Sequence, residues 1–506
     1  MPASGRVNRI LSAATAASIA VVLAATLAPI ANAASIPVLD KAAQPPITTQ
    51  DISDQPDIVV IYSDDQRKGA EKFMPQVQRL LAKQGVSFTD AHTPTSTCCP
   101  SRVSLLTGQL ANTTGVWTNW PPYGGFEAFM SGIGDADTVA TRLDAVGYRT
   151  ALVGKYLNGY ASATNRLRYG GDANYIPPGW DEWYAYAGPR SVRNPENSSY
   201  YDYWTMASSD GSAPRYEFHG RGAEDYSTRV FGTRVREIIR STPRDEPLFM
   251  YFTPNAPHAK YYPDPIDANY PVPDAPPVAG FNDVTGKPPW LQRRGEVSEK
   301  KAKKIREDQI RAAIGLDRTV AEIVSELDRR GTLSNTLLVF ASDNGYTWGE
   351  YRLLGTKNLP YTTQVPMIMR WDDGGFTGGV RDSRLSANID ITRTALAAAG
   401  ASTEGLIDAL DLADPKAKRK SLVISAWRNR GDPFTRVPAY CGVRTGNWLY
   451  IRYSKARFVE LYDVRRDPHM LVNLSGDASV AVHEEALEET TRRECSPAPP
   501  GFTWSK

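Results

Sequence analysis

The sequence predicts an α/β protein with a large mixed sheet covered on both faces by helices and a small antiparallel-sheet subdomain at the C-terminal end. Three observations predict it. Continuous β-branched and apolar runs of strand length recur along the first 345 residues, as they do in sheets buried on both faces. Stretches of helical periodicity lie between them, and that alternation is the pattern of a largely parallel or mixed sheet. After about residue 420 the pattern changes to short strand-like pieces at 437–443, 447–453 and 457–462, followed by a helix near 478–492.

The elements follow in order. Asp57-Ile-Val-Val-Ile-Tyr-Ser63 reads as a buried strand ending in Asp64-Asp65. A helical pattern from Pro75 to Lys83 is stopped by Gly85. Tyr148–Val153 is a second strand, before Gly154-Lys155, and residues 170–215, rich in Gly, Pro, Tyr and Ser, read as long surface loops. Leu248–Phe252 is a third strand. Ten prolines between Pro254 and Pro289 predict an extended, irregular excursion. From Ala302 to Arg330 the pattern is helical: Leu316, Val320, Ile323, Val324 and Leu327 share one face, and Gly331 suits a C-cap. Thr336–Ala341 is a fourth strand, ending at Ser342-Asp343-Asn344-Gly345.

The chain has 506 residues, 41% hydrophobic and 23% charged, the balance of a globular protein. Net charge is +2, and Arg6 and Arg9 are the only charged residues among the first 33, so the remainder is balanced. A balanced chain argues against bulk binding to nucleic acid or to an anionic membrane surface. The N-terminus reads as an export signal over residues 1–33. Arg6 and Arg9 precede an Ala-rich apolar stretch, and Ala31-Asn32-Ala33 forms a small-x-small cleavage site. Cleavage there leaves no stable membrane span and predicts a secreted or extracytoplasmic protein. Residues 34–55 read as an N-terminal tail, 56–420 as the main α/β domain and 421–506 as the C-terminal subdomain. Of the four cysteines, Cys441 and Cys495 could pair in an exported chain. Cys98 and Cys99 are adjacent, too close for an ordinary disulfide, and call for a chemical explanation.

Polar groups stand just beyond the strand ends, where ligand sites of open α/β sheets lie. Asp64, Asp65 and Asp343 with the amide oxygen of Asn344 suit a hard divalent cation, Ca2+ or Mg2+. Each pair alone is also ordinary turn chemistry. Ser96-Thr97-Cys98-Cys99-Pro100-Ser101-Arg102 reads as a loop opening into a helix near Pro100 or Ser101. Cys98 then stands at a helix N-terminus, where the dipole favours an anion.

Cys98-Cys-Pro-Ser-Arg102, with Leu105-Leu-Thr-Gly108 after it, resembles the sulfatase signature. The resemblance covers most of the chain: the Asp64-Asp65 strand end, Gly154-Lys155-Tyr-Leu-Asn158, Ala256-Pro-His258, Ala341-Ser-Asp-Asn-Gly345, Lys357, and Phe458–Asp463 in the C-terminal part. Gly154–Asn158 and Tyr175–Trp183 look most like N-acetylglucosamine-6-sulfatases and heparan endosulfatases. The resemblance implies an alkaline-phosphatase-like α/β sandwich. It implies that Cys98 is converted to formylglycine by a formylglycine-generating enzyme, with Arg102 holding the modified side chain. It also implies that Asp64, Asp65, Asp343, Asn344 and residue 98 bind the cation, with Ca2+ favoured, and that Lys155, Lys357 and His258 bind sulfate. The implied substrate is a sulfated saccharide, such as a glucosamine 6-sulfate, or an aryl sulfate. Two positions depart from the pattern: Leu157 replaces a histidine that many sulfatases carry, and Pro360–Pro366 is shorter than usual and lacks an acidic residue.

Two other functions fit parts of this pattern: a phosphodiesterase or phosphonate hydrolase of the same superfamily, and a non-catalytic binder of sulfated glycans. His92 and His219 read as structural residues that could also approach a site, and His469 and His483 as surface residues. Trp180 and Trp183 suit either a sugar platform or the core.

Overall fold

The computed structural model describes residues 54–160, 174–189, 199–427, 437–454 and 458–504. The predicted export signal, its predicted cleavage site and most of the predicted tail lie outside them. Among the described residues sixteen strands form three sheets. In chain order they are β1 (Asp57–Ser63), β2 (Val86–Phe88), β3 (Ala91–His92), β4 (Arg149–Gly154), β5 (Glu182–Pro189), β6 (Tyr203–Ser209), β7 (Arg215–His219) and β8 (Leu248–Thr253). Then come β9 (Thr336–Ser342), β10 (Met367–Arg370), β11 (Val380–Asp382), β12 (Ser386–Ala387), β13 (Ser421–Ala426), β14 (Tyr440–Thr445), β15 (Trp448–Tyr453) and β16 (Val459–Asp463).

Ten strands make the central sheet, in the order β11-β2-β10-β9-β1-β8-β4-β5-β6-β7. Its middle, β9-β1-β8-β4-β5, is parallel throughout; β10, β6 and β7 run antiparallel to their neighbours. The parallel strands are the β-branched and apolar runs of the sequence. Their side chains alternate between two cores: Ile58, Val60 and Tyr62 of β1 enter one, Val59 and Ile61 the other. The first core is covered by the helices Cys98–Thr107 and Asn388–Ala398, the second by Ser227–Ser241 and Glu299–Arg330. Each fully buried Val, Leu or Ile contributes about 1.5–3 kcal/mol, so β1, buried along its whole length, anchors both layers. Layered packing of a mixed sheet between helices is the predicted α/β sandwich.

The C-terminal sheet is antiparallel, β13-β14-β15-β16, and the helix Ala481–Glu494 lies against it. Cys441 of β14 is joined to Cys495, just past that helix, by a disulfide across 54 residues. No helix among the described residues is long and apolar enough to cross a membrane.

The structure corrects two expectations. Within 170–215, β5 and β6 are strands rather than loops, and with β7, which begins at Arg215, they extend the central sheet at one edge. Trp183, Tyr184, Tyr186, Tyr203 and Trp204 supply the strand-forming side chains that Gly and Ser obscured. The helix of the cysteine motif begins at Cys98, two residues earlier than expected, with Pro100 tolerated inside its first turn. Of the two readings of Trp180 and Trp183 the core one holds: they pack edge-on to each other and are buried in the first core.

Candidate active site

The parallel register brings the strand ends together. Ser63 pairs with Ser342, and Gly154 with Thr253, so Asp64, Asp343 and Lys155 leave the sheet in one row. Gly154 is obligatory here: its φ is +117°, and a Cβ would lie 2.1 Å from the Thr253 carbonyl oxygen. Asp64, Asp65, Asp343 and Asn344 are all buried. Asp65 has a left-handed backbone, φ 64°, a conformation that costs a non-glycine residue about 1–3 kcal/mol. It is held there because its N–H donates to Asp343 Oδ1 at 3.1 Å and its carbonyl accepts from Gln309 Nε2 at 2.8 Å.

The signature helix enters this row from the first core. Its N-cap, Thr97, is extended and makes no side-chain cap. Asn119 supplies the missing acceptor from a distant loop, taking the Cys99 N–H at 2.8 Å. Cys98 Sγ lies 2.8 Å from Lys357 Nζ and 3.6 Å from Asp64 Oδ1. Burial pushes the Cys98 thiol up to about 12, outweighing the pull of Lys155 and Lys357. At neutral pH this group is a thiol, and a thiol is a weak nucleophile. Cys99 turns the other way, into the apolar core.

Six charges converge. Arg102, wholly buried, places Nε and a terminal nitrogen 3.0 and 2.9 Å from Asp343 Oδ2 and a nitrogen 3.6 Å from Asp64 Oδ2. Its other terminal nitrogen donates to the Lys155 carbonyl at 2.8 Å and to Thr253 Oγ1 at 3.0 Å. These contacts make Arg102 a brace for Asp343 and the Lys155 turn. Lys155 Nζ is 2.5 Å from Asp64 Oδ2, and Lys357 Nζ is 2.5 Å from Asp65 Oδ1. Burial works against both ammonium groups, but Asp64 for the first and Asp65 for the second outweigh it and raise them. Burial would raise the Asp64 carboxyl; the charges of Lys155, His258, Arg102 and Lys357 prevail and hold it well below the usual carboxylate range. For Asp343 burial and the Asp64 charge prevail over Arg102 and push the carboxyl upward.

His258 sits on the loop after β8, with Nε2 3.6 Å from Asp65 Oδ2. Its Nδ1 donates to the Ala259 carbonyl, which leaves the Nε2 lone pair facing the carboxylates. Burial holds its pKa below the ordinary value even though Asp64 and Asp65 pull it up. The residues fit a hard cation. Ligand atoms of Asp64, Asp65, Cys98 and His258 all lie within 4.8 Å of one another. Asn344 donates through Nδ2 to Asp65 Oδ1 at 2.7 Å, and its buried Oδ1 has no hydrogen-bond partner. That unpartnered amide oxygen and the carboxylates of Asp64 and Asp65 are hard donors of the kind a divalent cation takes.

Every sequence-predicted site residue is thus in one cluster. The remaining histidines are elsewhere. His92 is buried between Asp90 and Thr363, and His219 stacks on Tyr203 in the edge strands. His469 and His483 are exposed. Sequence reasoning missed Asn119 and Gln309, which hold the signature helix and Asp65; both are isolated amides with no local pattern to mark them.

Comparison with known proteins places the chain in a family. The family model described as Sulfatase matches residues 56–401, and that described as N-sulphoglucosamine sulphohydrolase, C-terminal, matches 349–495. The chain is 28% identical over 396 residues to a putative extracellular sulfatase Sulf-1 homolog of Caenorhabditis elegans, covering 75% of this chain and 52% of the relative. It is 28% identical over 358 residues to an N-acetylglucosamine-6-sulfatase of Homo sapiens, covering 68% and 61%. It therefore spans between half and two-thirds of the length of these relatives. A protein solved in complex with its substrate D-glucosamine-2-N,6-O-disulfate shares the fold with a TM-score of 0.71 at 19% identity, covering 87% of this chain and 98% of that one. A phosphonate monoester hydrolase from Silicibacter pomeroyi shares it with a TM-score of 0.63 at 20% identity, covering 87% and 95%. With a family model spanning both strand-end carboxylate pairs, the cysteine motif and both lysines, the chain belongs to the sulfatase family.

Proposed function

We propose that this chain is an exported enzyme that hydrolyses sulfate esters of a sulfated saccharide, with Cys98 converted to formylglycine by a formylglycine-generating enzyme. One observation carries the reading: Cys98 stands at a helix mouth between Lys357 and Asp64, in the row of strand-end carboxylates. A buried, protonated thiol is poorly suited to attack as a cysteine, so the reading gives the nucleophile to a converted side chain. The hydrated aldehyde would supply an oxygen nucleophile and, by C–O cleavage, an exit for sulfate that a serine or cysteine ester lacks.

Asp64, Asp65, Asp343 and Asn344 would hold a divalent cation, with residue 98 and His258 beside it. When bound, that ion lowers the pKa of a hydroxyl next to it and offsets charge on sulfate oxygens. Charge accounting supports the assignment. Asp64, Asp65 and Asp343 balance Arg102, Lys155 and Lys357, so a divalent cation makes the site doubly positive. A sulfate monoester and one deprotonated hydroxyl restore neutrality.

Lys155 and Lys357 would clamp the sulfate oxygens as fixed charges. Arg102 keeps Asp343 and the Lys155 turn in place. His258 would present its Nε2, once protonated, to the departing oxygen. A glucosamine 6-sulfate is the proposed substrate class, supported by relatives named N-acetylglucosamine-6-sulfatase and by the fold neighbour bound to a disulfated glucosamine. Extracellular relatives support export.

The test is hydrolysis of 6-O-, N- and 2-O-sulfated glucosamines and of 4-nitrophenyl sulfate, run beside 4-nitrophenyl phosphate and a phosphonate monoester. Faster turnover of sulfates is expected. Preference for the phosphorus esters would transfer the chain to the phosphonate hydrolase chemistry of its fold neighbour.

A further inference from the structure

Below the active site lies a second buried charge network, built from residues far apart in sequence. Glu460 of β16 is fully buried. Three phenols donate to its carboxylate: Tyr361 and Tyr462 to Oε1, the latter at 2.6 Å, and Tyr453 to Oε2 at 2.6 Å. Lys287, from the proline-rich excursion, is equally buried. Its ammonium donates to Tyr462 Oη at 2.8 Å and to the Met470 carbonyl at 2.5 Å, and it lies 4.0 Å from Glu460 Oε1. The rings of Tyr351, Tyr361 and Tyr462 surround it with centroids at 4.0, 4.4 and 4.4 Å. Burying an ion pair rarely stabilises a protein more than apolar residues would. A network so enclosed is better explained by what it orients.

What it orients is the segment that carries Lys357. Tyr361 lies on the turn Pro360–Thr362, four residues after that lysine. The same segment is tied to the chemistry at two points. The Asn358 N–H donates to the Ser96 carbonyl at 2.6 Å. The Thr362 carbonyl accepts from Ser96 Oγ at 2.5 Å and from the N–H of Gly345, next to Asn344, at 2.9 Å. A shift of Tyr361 is therefore a shift of Lys357 against Cys98 and Asp65.

We infer that Glu460 is a positioning residue that acts through the Tyr361 hydroxyl to fix the Lys357 ammonium beside residue 98, which makes the C-terminal sheet a working part of the active site. This rests on the reading of Lys357 as a sulfate clamp.

The experiment is a double-mutant cycle with 4-nitrophenyl sulfate on the full chain. Tyr361→Phe removes one hydroxyl and keeps the ring, and a misplacement near 1 Å costs about 100-fold in rate. Tyr361→Phe is expected to lower kcat/KM by 10- to 100-fold, on the order of that estimate. In a Lys357→Ala background it is expected to add less than about twofold, because the two act as one unit. Tyr453→Phe removes an equivalent bond from the far side of the same carboxylate; it is expected to lower the melting temperature and leave kcat/KM near wild type. Glu460→Gln should match Tyr361→Phe, and should it fail to fold, the tyrosine pair decides. Unchanged kcat/KM in Tyr361→Phe, a full additional loss in the Lys357→Ala background, or equal losses in the two tyrosine variants overturns the inference and leaves the site intact. Full activity of Lys357→Ala overturns the site reading as well.

Discussion

The Lys357 ammonium lies 2.8 Å from Cys98 Sγ, and the same ammonium rests 2.5 Å from Asp65 Oδ1. One side chain thus joins the signature helix to the first strand-end carboxylates. Since burial pushes the thiol up to about 12, the contact is not a thiolate ion pair at neutral pH. It places a cation where a sulfate oxygen would meet residue 98.

The adjacent cysteines should separate cleanly. Cys98→Ala is expected to abolish turnover of 4-nitrophenyl sulfate. Cys99→Ala, which trims the apolar core, is expected to keep most activity and lose about 1 kcal/mol of stability. Steady-state kinetics and thermal unfolding of both variants check this. Comparable loss of kcat in both would show that the wrong position carries the nucleophile.

His258 sets a pH limb whose sign follows from its environment. Burial holds the imidazole below its ordinary 6.5, and a neighbouring cation pushes it the same way. If the protonated form serves the leaving group, kcat for an alkyl sulfate falls as pH rises through a value below 6.5. Stability moves oppositely. The unfolded chain takes up this proton before the folded one does, so the contribution is present above the unfolded value and lost on acidification. His258→Gln should remove the kinetic limb. It should slow alkyl sulfates far more than 4-nitrophenyl sulfate, whose leaving group needs no proton. An equal effect on both esters would exclude the role.

The cation should be visible without turnover. Added Ca2+ or Mg2+ is expected to raise the melting temperature of chelator-treated protein, since a ligand at 100 times its Kd stabilises by about 2.7 kcal/mol. Asn344→Leu removes the orphaned oxygen and should weaken that shift. The same melting temperature with and without cation, together with full activity in excess chelator, would contradict the metal assignment.

The Cys441–Cys495 disulfide closes a loop of 54 residues in the C-terminal sheet and its helix. Cross-links of this span contribute about 4 kcal/mol. Cys441→Ser is expected to lower the melting temperature by several degrees while kcat at moderate temperature is nearly retained. A melting temperature unchanged by the substitution or by reductant would show that the link adds nothing.

The sheet was legible in the sequence where burial is two-sided. β1, β4, β8 and β9 are continuous apolar runs, and their polar ends mark the site because parallel strands share one carboxyl edge. β5, β6 and β7 escaped because an edge of the sheet tolerates Gly, Ser and Tyr, which also make loops. The cysteine motif and the strand-end acids could be read because each is contiguous. The Lys287–Glu460 network could not, because Lys287, Tyr351, Tyr361 and Glu460 meet only after the excursion, the Lys357 loop and the C-terminal sheet have packed. For the same reason Asn119, which caps a helix some twenty residues before it in sequence, carries no local signature.

The most direct test of the central claim is mass spectrometry of the peptide spanning Thr95–Arg102 from an active preparation. An aldehyde or its hydrate is expected at position 98 and an unmodified thiol at Cys99. An active enzyme that retains a thiol at both positions contradicts the claim.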